Sequence, residues 1–354
     1  IGLNPVRLDA IGIDPIRLNA IRLAVPGASS GSDRPYIAPE VLASLVAVVK
    51  CDGKSNNDPD RAIIKNLVDP DNPFVISNAA YKLNSGFGKY EEDFTSWTNS
   101  PKTNTTDNKI TVQQDFNKGW ISYIAANGRN IPAFKVEVSG IPDGGILMYG
   151  GDIHTKVLSN GINELPERIE ANAFGFKTKN TADWSKLTIT QIPSFQGSFY
   201  ADGVNDMITS TKTMSEMLGG GNKCTVISFI THISGAGKYN VIGNNRIQVS
   251  DYSGQSFMAG CSSKSGEKIV ELGDKEKIQA FQYTTFDSKL SIGSLESGLE
   301  ISSYAYYGTF VFNKDSVPID WIHQVIAYFY LDKYVTPDII YDTIRQGITN
   351  ENHV

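Results

Sequence analysis

Residues 133–151 read AFKVEVSGIPDGGILMYGG, strand material broken by a Pro-Asp-Gly-Gly turn. Around them, from 91 to 193, five further runs have the same character: NKITVQQDF (108–116), GWISYIAA (119–126), TKVLSNGINELPE (155–167), AFGFKTK (173–179) and SKLTITQI (185–192). Turn signals recur every eight to fifteen residues or so, the mark of an all-β sandwich. On the N-terminal side lie an apolar run at 45–50, two Asx-rich turns and FVISNAAY (74–81). On the C-terminal side, strand-like runs begin with GSFYADGVNDMITS (197–210). They continue with CTVISFITHI (224–233), NVIGNNRIQVSDY (240–252), KIQAFQYTTFD (277–287), KLSIGSL (289–295) and YYGTFVFN (306–313). The order gives three successive strand-rich stretches, the middle one with a sandwich rhythm of its own.

Composition agrees. The 354 residues favour two domains or more. Hydrophobic residues are 40% and charged residues 20%, with 32 Gly, 16 Tyr and 16 Phe, a mixture that favours short strands and turns over long helices. Net charge is −6 and no basic cluster appears, which argues against nucleic-acid binding. No apolar run reaches the roughly 18–20 residues of a membrane span, and a soluble chain without membrane insertion is expected. Cys51, Cys224 and Cys261 are far apart and read as free thiols.

The chain opens with a pentamer repeat, IGLNP-VRLDA-IGIDP-IRLNA-IRLAV. Apolar residues two apart share a strand face, and Asx followed by Pro or Ala turns the chain. Pro5 and Pro15 oppose a helix. About 25 residues cannot bury such a face alone. Residues 1–24 are therefore expected to be a β shaft or attachment segment, continuing upstream or winding with identical chains, three being the expected number. Residues 25–35 read as a linker. At the other end, two helices are expected. The first has Ser316 and Pro318 at its start and an apolar stripe at Ile319, Ile322, Val325, Ile326 and Phe329. The second runs from Thr336 and Pro337 to Gly347 within a 333–354 tail.

The stretch 41–88, with its run from VAVVKCDGKSNN to LNSGFG, the phrase GSFYADGVNDMITS with its D-G-x-x-D turn, and the end YYGTFVFNKDSVPIDWIHQVIAYFYL resemble a laminin-G-like, concanavalin-type jelly roll. Similar chains occur in fibre and adhesin-like structural proteins of phages and prophages of gut bacteria. The resemblance implies a jelly roll over 36–90 plus 198–332. It also implies an inserted β-sandwich over 91–197, similar to a carbohydrate-binding module. Such jelly rolls often hold Ca²⁺ at a loop rim. Asp202 and Asp206 are the matching candidates, with Asp58, Asp60, Asp69 and Asp71 in neighbouring loops.

Catalytic constellations are hard to find. No E-x-D-x-x-E triplet appears, and Glu91-Glu92-Asp93, Glu167 with Glu170, and Glu271-Asp274-Glu276 sit in polar, turn-like sequence. The glycines of LGGGNK (218–223) read as a hairpin loop, and no nucleophile elbow or H-E-x-x-H occurs. An enzyme is not expected. Sugar binding needs aromatic platforms that stack on pyranose faces. Trp97, Trp120, Tyr149 and Trp184 are the candidates, with Tyr123 in the same unit. Trp120 and Trp184 lie next to loops.

The expected function is an adhesion or receptor-binding module of a trimeric phage-type fibre. It would recognise bacterial surface glycan on a virion or other extracellular structure. Two alternatives stay open: a purely architectural subunit that contacts copies of itself, and a polysaccharide depolymerase with carboxylates gathered from different loops.

Overall fold

The computed structural model describes residues 36–125, 129–151, 155–170, 172–221, 223–234, 242–243, 254–263, 266–270, 289–292, 303–314 and 317–329. The pentamer repeat, the 25–35 linker, the expected second C-terminal helix, and the expected strand over 277–287 lie outside them. The protein is mostly β. No helix among the described residues is long and apolar enough to cross a membrane.

Chain order begins with helix α1 (Pro39–Ser44) and strands β1 (Leu45–Lys50), β2 (Ile63–Ile64), β3 (Phe74–Ser77) and β4 (Gly86–Phe87). Next come β5 (Thr98–Asn99), β6 (Thr103–Thr105), β7 (Lys109–Val112), β8 (Gly119–Ala125), β9 (Arg129–Ile131) and β10 (Phe134–Ser139). They are followed by β11 (Leu147–Gly150), β12 (Thr155–Leu158), β13 (Gly161–Leu165), β14 (Arg168–Glu170), β15 (Ala173–Thr178) and β16 (Thr188–Ile192). The last group is β17 (Phe199–Asp202), β18 (Met207–Thr213), α2 (Met214–Met217), β19 (Lys223–Ser234), β20 (Ile242–Gly243), β21 (Gly254–Ser263), β22 (Gly266–Val270), β23 (Lys289–Ile292), β24 (Ser303–Phe312) and α3 (Ile319–Phe329).

Strands of the first and last groups build two sheets, ordered β22-β21-β19-β24-β17-β4 with β1 also on β24, and β2-β3-β18-β23-β20. β24 is central. β19 runs along one edge, while on the other β17 pairs with Ser303–Tyr306 and β1 with Gly308–Phe312, all antiparallel. Both faces of β24 are covered. Tyr304, Tyr306 and Val311 join a core with Ile64, Phe74, Ile76, Ile208 and Ile292 of the second sheet. Phe310 and Phe312 point the other way, into a cluster with Val41 of α1 and Ile322, Val325, Ile326 and Phe329 of α3. The three-and-four spacing in α3 turns those apolar side chains onto one face. Each fully buried aromatic or aliphatic side chain here stabilises by roughly 1.5–3 kcal/mol.

The middle strands pair only among themselves among the described residues, in sheets β13-β10-β16-β7-β6 and β12-β11-β15-β8-β5 and the pair β14-β9. In β10 burial alternates strictly, with Phe134, Val136 and Val138 inward and Lys135, Glu137 and Ser139 exposed. Inward side chains of both five-stranded sheets share one core containing Ile110, Ile121, Leu147, Phe174, Phe176 and Ile189.

The chain leaves the first group after β4 and returns at β17, and these two strands are neighbours, Phe87 opposite Phe199 and Gly86 opposite Tyr200. The two connectors stay in contact beyond them. Gly88 N–H donates to the Ser198 carbonyl and Ser194 N–H to that of Lys89, each at 2.8 Å. Gln191 then closes the junction. Its Oε1 accepts from the amides of Glu91 and Glu92 at 2.8 and 3.1 Å, and its Nε2 donates to the Glu92 carbonyl at 2.7 Å.

Some local structure differs from the sequence reading. The glycines after Met217 close the one-turn helix α2, not a hairpin. Thr213 and Glu216 form a capping box at its start, and Gly219 and Gly220, at φ 61° and 76°, end it with amides donating to Glu216 and Ser215. β21 carries Cys261, read from the sequence as ending a strand-like run, and β22 occupies a stretch where no strand was expected.

Replacing Gln191 by Ala leaves the half-buried Glu91 amide, the buried Glu92 amide and the Glu92 carbonyl without these partners at the junction. Urea denaturation should show a loss of about 2–4 kcal/mol. A loss under about 0.5 kcal/mol would mean that the junction does not depend on this side chain.

Candidate functional site

A bulge in β8 makes the one exposed aromatic cluster that the sequence candidates provide. Ser122 pairs with Phe176 but Trp120 pairs with Lys177, so Ile121 is an extra residue. Ile121, Ser122 and Ile124 are buried. Trp120 and Tyr123, three apart, are thereby both placed on the outer face, half-buried. Their rings are 5.3 Å apart and tilted by 46°. The Lys177 ammonium lies over the Trp120 ring at 4.9 Å and donates to the Gly151 carbonyl at 2.9 Å. Next along the row, Met148 pairs with Lys177 and the exposed Val157 with Met148. Gly175, opposite Tyr123, has no room for a side chain, because a Cβ would strike the Ser122 carbonyl and Tyr123 Cα. The outcome is a surface strip of Tyr123, Trp120, Lys177, Met148 and Val157, supported from below by the sandwich core.

The other aromatic candidates are in that core and have no face open to a sugar. Trp97 stacks on Phe176 at 5.7 Å, meets Phe94 edge-on at 5.1 Å, and donates from its indole to Glu92 Oε2 at 3.1 Å. Tyr149 packs against Phe174 at 4.6 Å and Phe176 at 5.1 Å. Trp184 is fully buried although TADWSK looks like a loop. Its ring lies against the 142–145 turn, so close that a Cβ on Gly145 would touch it, and its indole donates to the Asn180 carbonyl at 3.3 Å. Only Trp120, with Tyr123, can meet a ligand. Lys177 was not anticipated, and the three-residue Trp-Tyr spacing, read as a plain strand, would send the two rings to opposite faces.

Asp202 and Asp206 flank the turn that carries the chain from β17 in one sheet to β18 in the other. Asp206 is fully buried, its Oδ1 accepting from Ser85 Oγ and its Oδ2 from the Asp202 amide, both at 3.1 Å. Asp202 Oδ1 accepts from the Val204 amide at 2.8 Å. Asp58 is bonded to Ser55, Asp60 to Lys54, and Asp69 to Asn72 and Lys212. No group of three His, Cys, Asp or Glu side chains suited to a cation occurs among the described residues. Asp202 and Asp206 hold the corner, Asp58, Asp60 and Asp69 are bonded within other loops, and the residues do not come together as a Ca²⁺ ligand set. Burial chiefly pushes the Asp206 carboxyl above its ordinary 3.8, against the pull of the Asp202 amide and Ser85.

Of the carboxylate groups considered for chemistry, Glu92 is buried. Its carboxyl is raised mainly by burial, with Trp97 and Arg129 pulling it down. Arg129 donates to both its oxygens at 2.8 and 2.7 Å, which ties the β9–β14 pair to the base of the unit. Glu91 pairs with Lys89 at 3.2 Å, and Asp93 caps the short 3-10 turn at Phe94–Ser96. The Glu271-Asp274-Glu276 group lies outside the described residues. Comparison with known proteins adds no assignment: no protein-family model matches the chain, and no curated protein matches it.

A raised carboxyl contributes stability that is fully present below its unfolded value and lost as pH rises through the raised one. Wild-type stability relative to Asp206→Asn, which cannot titrate, should therefore fall as pH rises above the ordinary 3.8 in urea titrations. A difference that is flat or grows with pH would contradict the burial of this carboxyl.

Proposed function

We propose that this chain is an adhesion module of a phage-type fibre that binds bacterial surface glycan through the outer strip around Trp120. The observation that carries the reading is the Trp120–Tyr123 pair, held on a rigid sheet face while every other candidate ring serves the core. A pyranose presents an apolar face of C–H groups that stacks on an indole, and neighbouring polar groups fix its hydroxyls. On this face the indole supplies the platform, the Tyr123 hydroxyl can exchange hydrogen bonds, and the Lys177 ammonium supplies donors. Met148 and Val157 extend the apolar row, giving a shallow groove-free surface suited to one side of an extended polysaccharide.

In this reading the host sandwich is a laminin-G-like jelly roll, and residues 91–197 are a binding module inserted in it. The repeat at 1–24 winds with two other copies as a shaft. Three heads on one shaft raise avidity for a repetitive glycan even where each site is weak. The pentamer pattern and the nested sandwiches support this, and the protein then works outside the cell as part of a virion or similar surface structure.

The test is a panel of bacterial capsular and mucin-type glycans, with wild type, Trp120→Ala and Trp184→Ala compared by binding and by denaturation. Trp120→Ala should weaken binding at least ten-fold and change stability by less than about 1 kcal/mol, a surface effect. Trp184→Ala should cost about 3–5 kcal/mol of stability. Silence of the wild type across the panel, or full binding by Trp120→Ala, would overturn the assignment.

A further inference from the structure

Three loops of the host sandwich meet at one end: residues 52–62 after β1, 78–85 after β3, and 203–206 before β18. Asn78 Nδ2 donates to the Asn205 carbonyl at 3.0 Å, the Ala80 amide donates to Ser85 Oγ at 2.7 Å, and Ser85 in turn reaches Asp206. The Arg61 guanidinium lies over the Tyr81 ring at 4.7 Å and donates through Nη1 to the Asn56 carbonyl at 3.0 Å. Tyr81 stacks in turn near Phe87, with ring centres 6.3 Å apart. Asn56 is buried and accepts from the Phe87 amide at 2.6 Å through Oδ1. A Cβ placed on Gly86 would touch both Asn56 Oδ1 and Tyr81 Cα, which puts these two residues side by side.

Two features of this cluster have no structural use. Asn56 Nδ2 and the Tyr81 hydroxyl are buried without a hydrogen-bond partner, a costly state for polar atoms. The segment that carries Tyr81 is strained at two residues, Tyr81 and Leu83, whose φ values are 55° and 41°, a conformation that bulky side chains avoid; Asn78, at 65°, adopts it at little cost. Strain and orphaned donors coincide where ligand would relieve both. The available groups are donors, while the acids nearby are committed: Asp58 to Ser55, Asp60 to Lys54, Asp202 to the Val204 amide, and Asp206 to the corner. Arg61 is exposed and has no carboxylate partner among the described residues. Its planar fork, pre-set by stacking on Tyr81, suits a carboxylate taken through two N–H groups.

We propose that this loop cluster is a second binding site, which takes the carboxylate of an acidic saccharide onto Arg61 and its neighbouring oxygens onto Tyr81 and Asn56 as segment 78–85 relaxes. The choice of a saccharide rests on the glycan reading above; the carboxylate and the place do not. The site works without a cation, since the carboxylates beside it do not fit one.

The experiment titrates the full chain with sodium glucuronate, glucose and sodium acetate, following backbone amide shifts by NMR, with EDTA present throughout. Wild type, Arg61→Gln and Trp120→Ala are compared. The expected result is saturable glucuronate binding that shifts amides of 78–85. It should be about ten-fold weaker in Arg61→Gln and unchanged in Trp120→Ala, with glucose and acetate each at least ten-fold weaker than glucuronate. Absence of glucuronate binding, or binding that Arg61→Gln leaves intact, overturns the site. Acetate shifting the 78–85 amides as tightly as glucuronate overturns the saccharide, and glucose shifting those same amides as tightly overturns the carboxylate. Binding lost in Trp120→Ala but kept in Arg61→Gln would move glucuronate to the Trp120 face, sinking this site while sustaining the first.

Discussion

The two-sided burial of β24 is the constraint on which the rest of the structure depends. A ten-residue strand covered on both faces and paired on both edges has no freedom of register, because a one-residue slip would exchange its two sets of side chains. Tyr304 and Tyr306 would then meet α3, and Phe310 and Phe312 would meet the second sheet. The tyrosine hydroxyls reinforce this choice. Tyr306 donates to Thr309 Oγ1 at 2.8 Å, Thr309 is bonded to Ser228 at 2.6 Å, and Tyr304 donates to the Ile292 carbonyl at 3.2 Å. Burial pushes both phenols, and the Cys51 thiol beside them, well above their ordinary ranges, so this layer stays neutral.

From that strand the rest follows by contact. β1 and β17 share one edge of β24, which brings the start of the described chain and the return from the middle strands into line. β4 joins β17, and the exit and entry points of the middle unit are thereby fixed one strand apart. Termini that lie this close allow a unit with its own core to be carried without deforming its host. The Gln191 hydrogen bonds and the Glu92–Arg129 pair stiffen the join, so the Trp120 face is presented at a set angle to the junction rather than on a flexible stalk.

Much of this was legible in the sequence. AFKVEVS alternates as a half-buried strand must, and it is one. The apolar stripe after Pro318 appears as α3. The rhythm of the runs showed three successive strand-rich stretches, and the insertion of the middle one was implied by the resemblance; the partner of each strand was not visible, since pairing depends on contacts far apart along the chain. The candidate site was half legible. Trp120 was named, but Trp184, also flanked by polar residues, turned out to plug the sandwich end, because a flanking loop says nothing about which way a ring folds. The bulge at Ile121 has no sequence signature of its own, and without it Tyr123 and Lys177 could not be placed beside Trp120. Asp202 and Asp206 show a further limit: the same D-G-x-x-D spacing suits either a cation or a corner, and the hydrogen bonds to Ser85 and to the Asp202 and Val204 amides, which the sequence does not reveal, hold the corner.

On this topology the host sandwich closes on β24 by itself and merely carries the middle unit between β4 and β17. The most direct measurement replaces residues 89–196 with a two-residue Asn-Gly turn, a connection suited to adjacent antiparallel strands, and follows thermal unfolding by circular dichroism. The prediction is a single cooperative transition from a β-rich state, with near-ultraviolet signal from the buried tyrosines of β24 retained. A chain that shows no cooperative transition would mean that the host needs the middle unit to fold, and would contradict the account.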